Sequence, residues 1–151
     1  CVVDDKGPSV ALVLNLAHGE RFHAVRGEGA FLDSDAIQST DCEQLDEAII
    51  GVAGVPPPNL NPRQYRSFGA AALDLCSVAA GRVDAYIDPL AHHGVWDYAA
   101  GVLICQEAGA VVGELQGRDL IHSDHAARRG PVVAASPDLL AQLGVDPAID
   151  R

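Results

Sequence analysis

Two runs of small apolar residues, 70–80 and 96–108, limit what this chain can fold into more than any other feature. Each is long enough for about three turns of helix. The first is apolar nearly all the way round and broken only by Asp74 and Ser77. A helix with that pattern has no face to offer to water, so both runs are expected to lie buried between layers of other structure. Gly81 and Gly109 end them, and Gly81 stands where a helix turns into the left-handed region.

The remaining segments alternate strand and turn signals. Residues 9–16 are β-branched and apolar and read as a mostly buried strand; 21–25 alternate polar with apolar. With the turn at 17–20 they predict an antiparallel hairpin. Gly27-Glu28-Gly29 turns the chain into Ala30-Phe31-Leu32. It lacks the third glycine and the following helix of a dinucleotide loop, so it reads as a turn. Thr40-Asp41-Cys42-Glu43 resembles the start of a short helix. Residues 48–53 read as a buried strand, and 54–62, with four prolines, as a surface loop. Residues 83–87, 111–112 and 131–135 read as further strands, and 138–143 as a closing helix. The pattern predicts a mixed α/β fold with helices packed on sheet. The division expected is 1–47, the end of an N-terminal sheet region, and 48–151, an α/β unit, with no long linker.

Composition narrows the function. The net charge is −11 and the only adjacent basic pair is Arg128-Arg129, so no stripe for nucleic acid is present. An acidic chain can bind a phosphorylated anion when divalent cations supply the positive charge. No run approaches the ~18 apolar residues of a membrane span, and the expectation is a soluble, cytoplasmic protein. The four cysteines are scattered; Cys76 and Cys105 fall inside apolar runs and read as buried thiols. With no methionine anywhere, the chain is expected to be a piece of a longer one.

Asp97, beside the only tryptophan and in the first turn of the second run, is the leading candidate for chemistry. A carboxylate there gains from unpaired backbone N–H groups, and ionised it can ligate a hard cation. On helix physics alone it reads first as a stabiliser of the helix terminus and second as a ligand. Asp88, before Pro89 in a loop, is either a binding residue or the start of an Asp-Pro turn. His92-His93 are read as loop residues, because adjacent side chains diverge and chelating pairs need a different spacing. His122-Ser123-Asp124-His125 matches no metal spacing and reads as a solvated loop. Gly69, Ala70 and Ala71 open the first helix, where small residues let a ligand approach backbone N–H groups or let the helix pack closely. No G-x-S-x-G or P-loop string occurs.

Three stretches in order resemble one family. They are Arg66-Ser67-Phe68-Gly69-Ala70-Ala71-Ala72-Leu73-Asp74-Leu75-Cys76, then Val78-Ala79-Ala80-Gly81-Arg82-Val83-Asp84-Ala85-Tyr86, then Trp96-Asp97-Tyr98-Ala99-Ala100-Gly101 continuing to Glu107-Ala108-Gly109. With Arg26-Gly27-Glu28-Gly29-Ala30-Phe31 upstream, residues 9–136 are similar to the C-terminal part of the inositol monophosphatase family, magnesium-dependent and lithium-sensitive phosphomonoesterases. The resemblance implies part of a layered αβαβα sugar-phosphatase fold, a small phosphorylated substrate, Mg²⁺ and a homodimer.

By the same resemblance Asp97 ligates a catalytic metal and contacts substrate hydroxyls, and Gly69, Ala70 and Ala71 line the substrate pocket. Asp88 falls where the family usually has a glutamate that bonds the alcohol. Ala70 replaces a more usual serine or threonine, and the interval from Asp88 to Asp97 is about two residues longer than typical. The family's acidic pair and its D-P-x-D-G-[ST] string have no counterpart here. A phosphatase that is inactive without its other half is the implied reading. Sugar-bisphosphate, histidinol-phosphate and phosphoadenosine-nucleotide phosphatases are alternatives, as is a non-catalytic interaction domain.

Overall fold

The computed structural model describes residues 1–146. A five-stranded antiparallel meander comes first: β1 (Val2–Asp4), β2 (Gly7–Asn15), β3 (Glu20–Val25), β4 (Ala30–Leu32) and β5 (Asp35–Ile37), paired in chain order. The expected hairpin is β2–β3, with Val13 opposite Phe22 and Leu12 opposite His23. Along β2 the side chains alternate as a pleated strand requires: Ala11 and Val13 face the core, while Val10, Leu12 and Leu14 are exposed on the outer face.

A second sheet holds β6 (Ile49–Val52), β7 (Gln64–Arg66), β8 (Ala85–Ile87), β9 (Val111–Glu114) and β10 (Pro131–Ala134) in the order β7-β6-β8-β10-β9. Strand β6 runs parallel to β7 and β8, whereas β10 is antiparallel to β8 and β9. The two apolar runs form α1 (Ala71–Ala79) and α2 (Val95–Glu107), and α3 (Pro137–Gln142) closes the described chain.

Both long helices lie between the sheets, as their all-round apolar character demands. One core joins Ala11 and Phe22 of the first sheet, Leu75 and Val78 of α1, Tyr98 and Leu103 of α2, and Tyr86 and Val133 of the second sheet. On the other face of the second sheet, α3 packs Leu139 and Leu140 against Ile50, Ile87 and Val132. The layers are therefore sheet, helices, sheet, helix. Cys76 and Cys105 are buried with reduced thiols, and burial pushes the Cys76 thiol up to about 12. Among the described residues, no helix is long and apolar enough to cross a membrane.

Two contacts lock α2 in place. A Cβ added at Gly101 would lie 2.7 Å from both Cβ and Cδ1 of Leu75, so α1 and α2 touch at a point only glycine permits. At the far end of α2 the Glu107 carboxylate accepts the backbone N–H groups of Gly27 (2.8 Å) and Gly29 (2.9 Å). These charge-assisted bonds, worth about 1.5–3 kcal/mol each, tie the glycine turn of the first sheet to the central helix.

The helix expected at 40–43 is absent: residues 38–44 have no regular structure. Their polar groups find distant partners instead. The Thr40 hydroxyl donates to Asp84 Oδ1 (2.6 Å), the Cys42 carbonyl accepts from the Ser136 hydroxyl, and the Glu43 carbonyl accepts from Gln142 Nε2. A segment supplied this way gains nothing from coiling. The short strands β1, β5 and β7 were not expected, and 83–87 and 131–135 each contain a slightly shorter strand.

Candidate functional site

Parallel strands β7 and β8 each lead from their carboxyl ends into a helix, β7 into α1 and β8 into α2. Both helices lie on the same face of the sheet, within the core between the layers. Their starts therefore gather at one edge, outside the carboxyl ends of β6, β7 and β8, where open α/β sheets place ligands. Gly69, Ala70 and Ala71, the Asp88 loop, and Asp97 all fall at this edge.

Asp97 stands in the first turn of α2, half-buried. Its Oδ2 accepts the backbone N–H of Gly94 at 3.0 Å, one half of a capping box; Gly94 has no side chain to return the other half. No protein donor in the described residues meets Oδ1. Beside it Trp96 is 57% exposed, with its ring folded over Gly94, His125 stacked at 6.0 Å and the Arg128 guanidinium at 5.2 Å. The loop at 122–129 thus lies against one side of the tryptophan and leaves most of its ring exposed. Ser123, Asp124 and His125 are exposed, as a solvated loop should be, whereas His122 is half-buried with Nε2 3.4 Å from the Tyr98 hydroxyl.

The start of α1 is uncapped: Ala70 is its N-cap residue and offers no side-chain acceptor. Gly69 takes φ +86°, a left-handed conformation that leads the chain into the helix. One turn on, Asp74 is 2% exposed and its Oδ1 has no partner among the described residues; burial pushes its carboxyl up to about 6. Sequence reading saw Asp74 only as a break in an apolar run.

Asp88 is fully buried, and its carboxylate organises its own loop. Oδ1 accepts from Leu90 N (3.1 Å) and meets His92 Nδ1 (2.9 Å), while Oδ2 accepts from His92 N (3.0 Å). The expectation that the two adjacent histidines diverge is corrected here. Their ring centroids are 4.5 Å apart, and Asp88, His92 and His93 bring ligand atoms within 4.8 Å of one another. Ala91 at φ +49° tightens the loop so that His92 presents Nδ1 and His93 presents Nε2 to the same carboxylate.

Glu114 anchors the segment returning to β10. Burial alone would raise its carboxyl, but the Arg118 guanidinium and the N–H groups of Gly130, Arg118 and Gln116 outweigh it and hold the group at about 2. A folded value below the unfolded 4.5 adds stability that is present above pH 4.5 and lost as pH falls toward 2. The full contribution is roughly 3 kcal/mol. In urea titrations, the stability difference between the native chain and Glu114→Gln is expected to shrink steadily from pH 4.5 to pH 2.

Asp97 is not part of any cluster of three potential ligands in the described residues. A hard divalent cation takes six or more oxygens, so Asp97 and the described residues around it do not by themselves complete a site for one. Two hollows, of about 1200 and 520 Å³, lie elsewhere: one flanks the end of α2 and β9, the other the outer side of α2 beside Val3 and Ile121. Neither is lined by Asp88, Asp97 or Gly69 to Ala71.

The fold and this edge define an α/β protein that brings a carboxylate and two helix starts to one edge of a sheet. Comparison with known proteins gives the relationship. The chain belongs to the inositol monophosphatase family, whose sequence model matches residues 1–145. The bifunctional NADP phosphatase/NAD kinase of Methanocaldococcus jannaschii is 32% identical over 146 residues, covering 89% of this chain and 25% of that protein. A putative Nus factor SuhB of Neisseria meningitidis is 33% identical over 147 residues, covering 88% of this chain and 54% of that one. A solved Pyrococcus horikoshii protein, described as having similarities to inositol-1 monophosphatase, superposes with a TM-score of 0.82 at 25% identity, over 93% of this chain and 58% of its own. The chain thus spans about half the length, or less, of the relatives it matches.

Proposed function

We propose that the protein carrying this chain is a Mg²⁺-dependent phosphatase acting on a small phosphate monoester of the inositol monophosphate type. The observation that carries this is Asp97 at the carboxyl edge of the parallel strands, half-buried, held by Gly94 and with one oxygen unclaimed. When bound, Mg²⁺ would supply the charge that neutralises phosphate and activates water. The chain's own residues position the substrate. The uncapped start of α1 directs N–H groups toward an oxygen-rich ligand at Gly69, Ala70 and Ala71. Asp88 shapes the neighbouring loop against which the alcohol portion lies.

The remaining metal carboxylates belong to sequence outside these 151 residues. The exposed apolar stripe of Val10, Leu12 and Leu14 on the first sheet supports a further layer of structure there. The same reading expects a homodimer in the cytoplasm. The likeness to an NADP phosphatase keeps other phosphate monoesters in view as substrates. The likeness to a Nus factor supports a second reading, an interaction domain indifferent to Mg²⁺. Purified residues 1–151 are expected to release no phosphate from inositol monophosphate while the complete protein does. Turnover by the segment above an Asp97→Asn control would refute the division of the site between two halves.

A further inference from the structure

The loop between β8 and α2, to which the phosphatase reading gives only a part in shaping the substrate edge, also gathers a set of donor atoms. We propose that Asp88, His92 and His93 form a binding site for a transition-metal ion of the zinc type, distinct from the Asp97 carboxylate. The donors are two imidazoles and one carboxylate with ligand atoms within 4.8 Å of one another, a span that one ion can bridge. Two nitrogens and an oxygen suit Zn²⁺, Co²⁺ or Ni²⁺ and not Mg²⁺, which demands oxygen ligands.

The site is built before any ion arrives. Asp88 is 0% exposed and pinned by the N–H groups of Leu90 and His92, with Oδ1 2.9 Å from His92 Nδ1 and Oδ2 3.9 Å from His93 Nε2. His93 is clamped by backbone bonds in both directions with Arg129, His93 N to Arg129 O at 3.3 Å and Arg129 N to His93 O at 3.0 Å. Gly130 closes the loop from behind: a Cβ there would lie 2.8 Å from the Asp88 carbonyl and 3.2 Å from the Ala91 Cα. His92, with a side chain 53% exposed, leaves an approach from solvent and room for water as a fourth ligand.

His93 is only partly exposed, and its Nε2 lies 3.9 Å from Asp88 Oδ2. The Tyr86 hydroxyl lies 2.9 Å from His93 Nε2 and is a neighbour of the ligand, not itself a ligand. Metal binding exchanges the Tyr86–His93 and His92–Asp88 hydrogen bonds for coordinate bonds. The site stands whether or not the protein is a phosphatase.

The test uses the complete protein, stripped with a chelator and then equilibrated with Zn²⁺ in the presence of millimolar Mg²⁺. One Zn²⁺ per chain is expected, and Co²⁺ in its place should show the visible absorption of a low-coordinate ion. His92→Ala, at an exposed position, should weaken binding at least about tenfold. His93→Gln should do the same with its thermal midpoint retained, and Asp97→Asn should leave Zn²⁺ binding unchanged. Absence of stoichiometric Zn²⁺, or binding that survives His92→Ala and is lost in Asp97→Asn, would overturn the proposal.

Discussion

Asp97→Asn in the complete protein is expected to lower phosphate release by more than about a hundredfold while leaving the fold intact. The asparagine oxygen can still accept the Gly94 N–H, so the helix start keeps its bond and loses only a carboxylate–dipole term of about 0.3–1 kcal/mol. What disappears is the negative charge on the unclaimed oxygen. Loss of a bond that merely orients a metal ligand costs 10–100-fold, and loss of the ligand's own charge should exceed that. Paired measurements of kcat and thermal midpoint separate the roles. A stabiliser of the helix terminus would move the midpoint and spare kcat, whereas a ligand does the reverse.

Gly101→Val is expected to destabilise the chain by about 3 kcal/mol or more. In an exposed helix, replacing glycine by a residue with a side chain usually helps, by up to ~1 kcal/mol for alanine. Here the first added carbon would sit 2.7 Å from Leu75 Cβ, an atom fixed to the α1 backbone, so the two helices must part. Gly94 offers the internal contrast. A Cβ there meets the Trp96 ring at 2.3 Å, but that ring is mostly exposed and can swing away. Gly94→Ala should therefore be mild where Gly101→Val is severe, as denaturant midpoints of the two variants will show. Because Gly101 sets where α2 begins relative to α1, activity should fall with stability in Gly101→Val.

The helices were legible in the sequence because small apolar residues on every face leave one placement, between layers. The long hairpin was legible from its alternation. Strands β1, β5 and β7 were not, since three residues carry no periodicity to read. Thr40 failed as a helix signal because its hydroxyl partner, Asp84, is 44 residues away. The E-A-G motif marked Glu107 as distinctive, yet its partners, the Gly27 and Gly29 amides, are visible only once the fold brings them together.

At the site, Asp97 and the start of α1 were identifiable as motifs. Their meeting at one sheet edge follows from the parallel pairing of β6 with β7 and β8, which no local pattern announces. His92 and His93 illustrate the opposite limit. The rule that neighbouring side chains diverge holds for regular strands and helices, but a left-handed Ala91 and two different ring nitrogens bring this pair onto one carboxylate.

The most direct test of the phosphatase assignment is phosphate release from inositol monophosphate by the complete, metal-stripped protein as Mg²⁺ is returned. The stripped protein should release none, recover as Mg²⁺ reaches the millimolar range, and show no recovery as Asp97→Asn. Release that persists after stripping, or Mg²⁺ that restores Asp97→Asn as fully as the native protein, would contradict the phosphatase assignment.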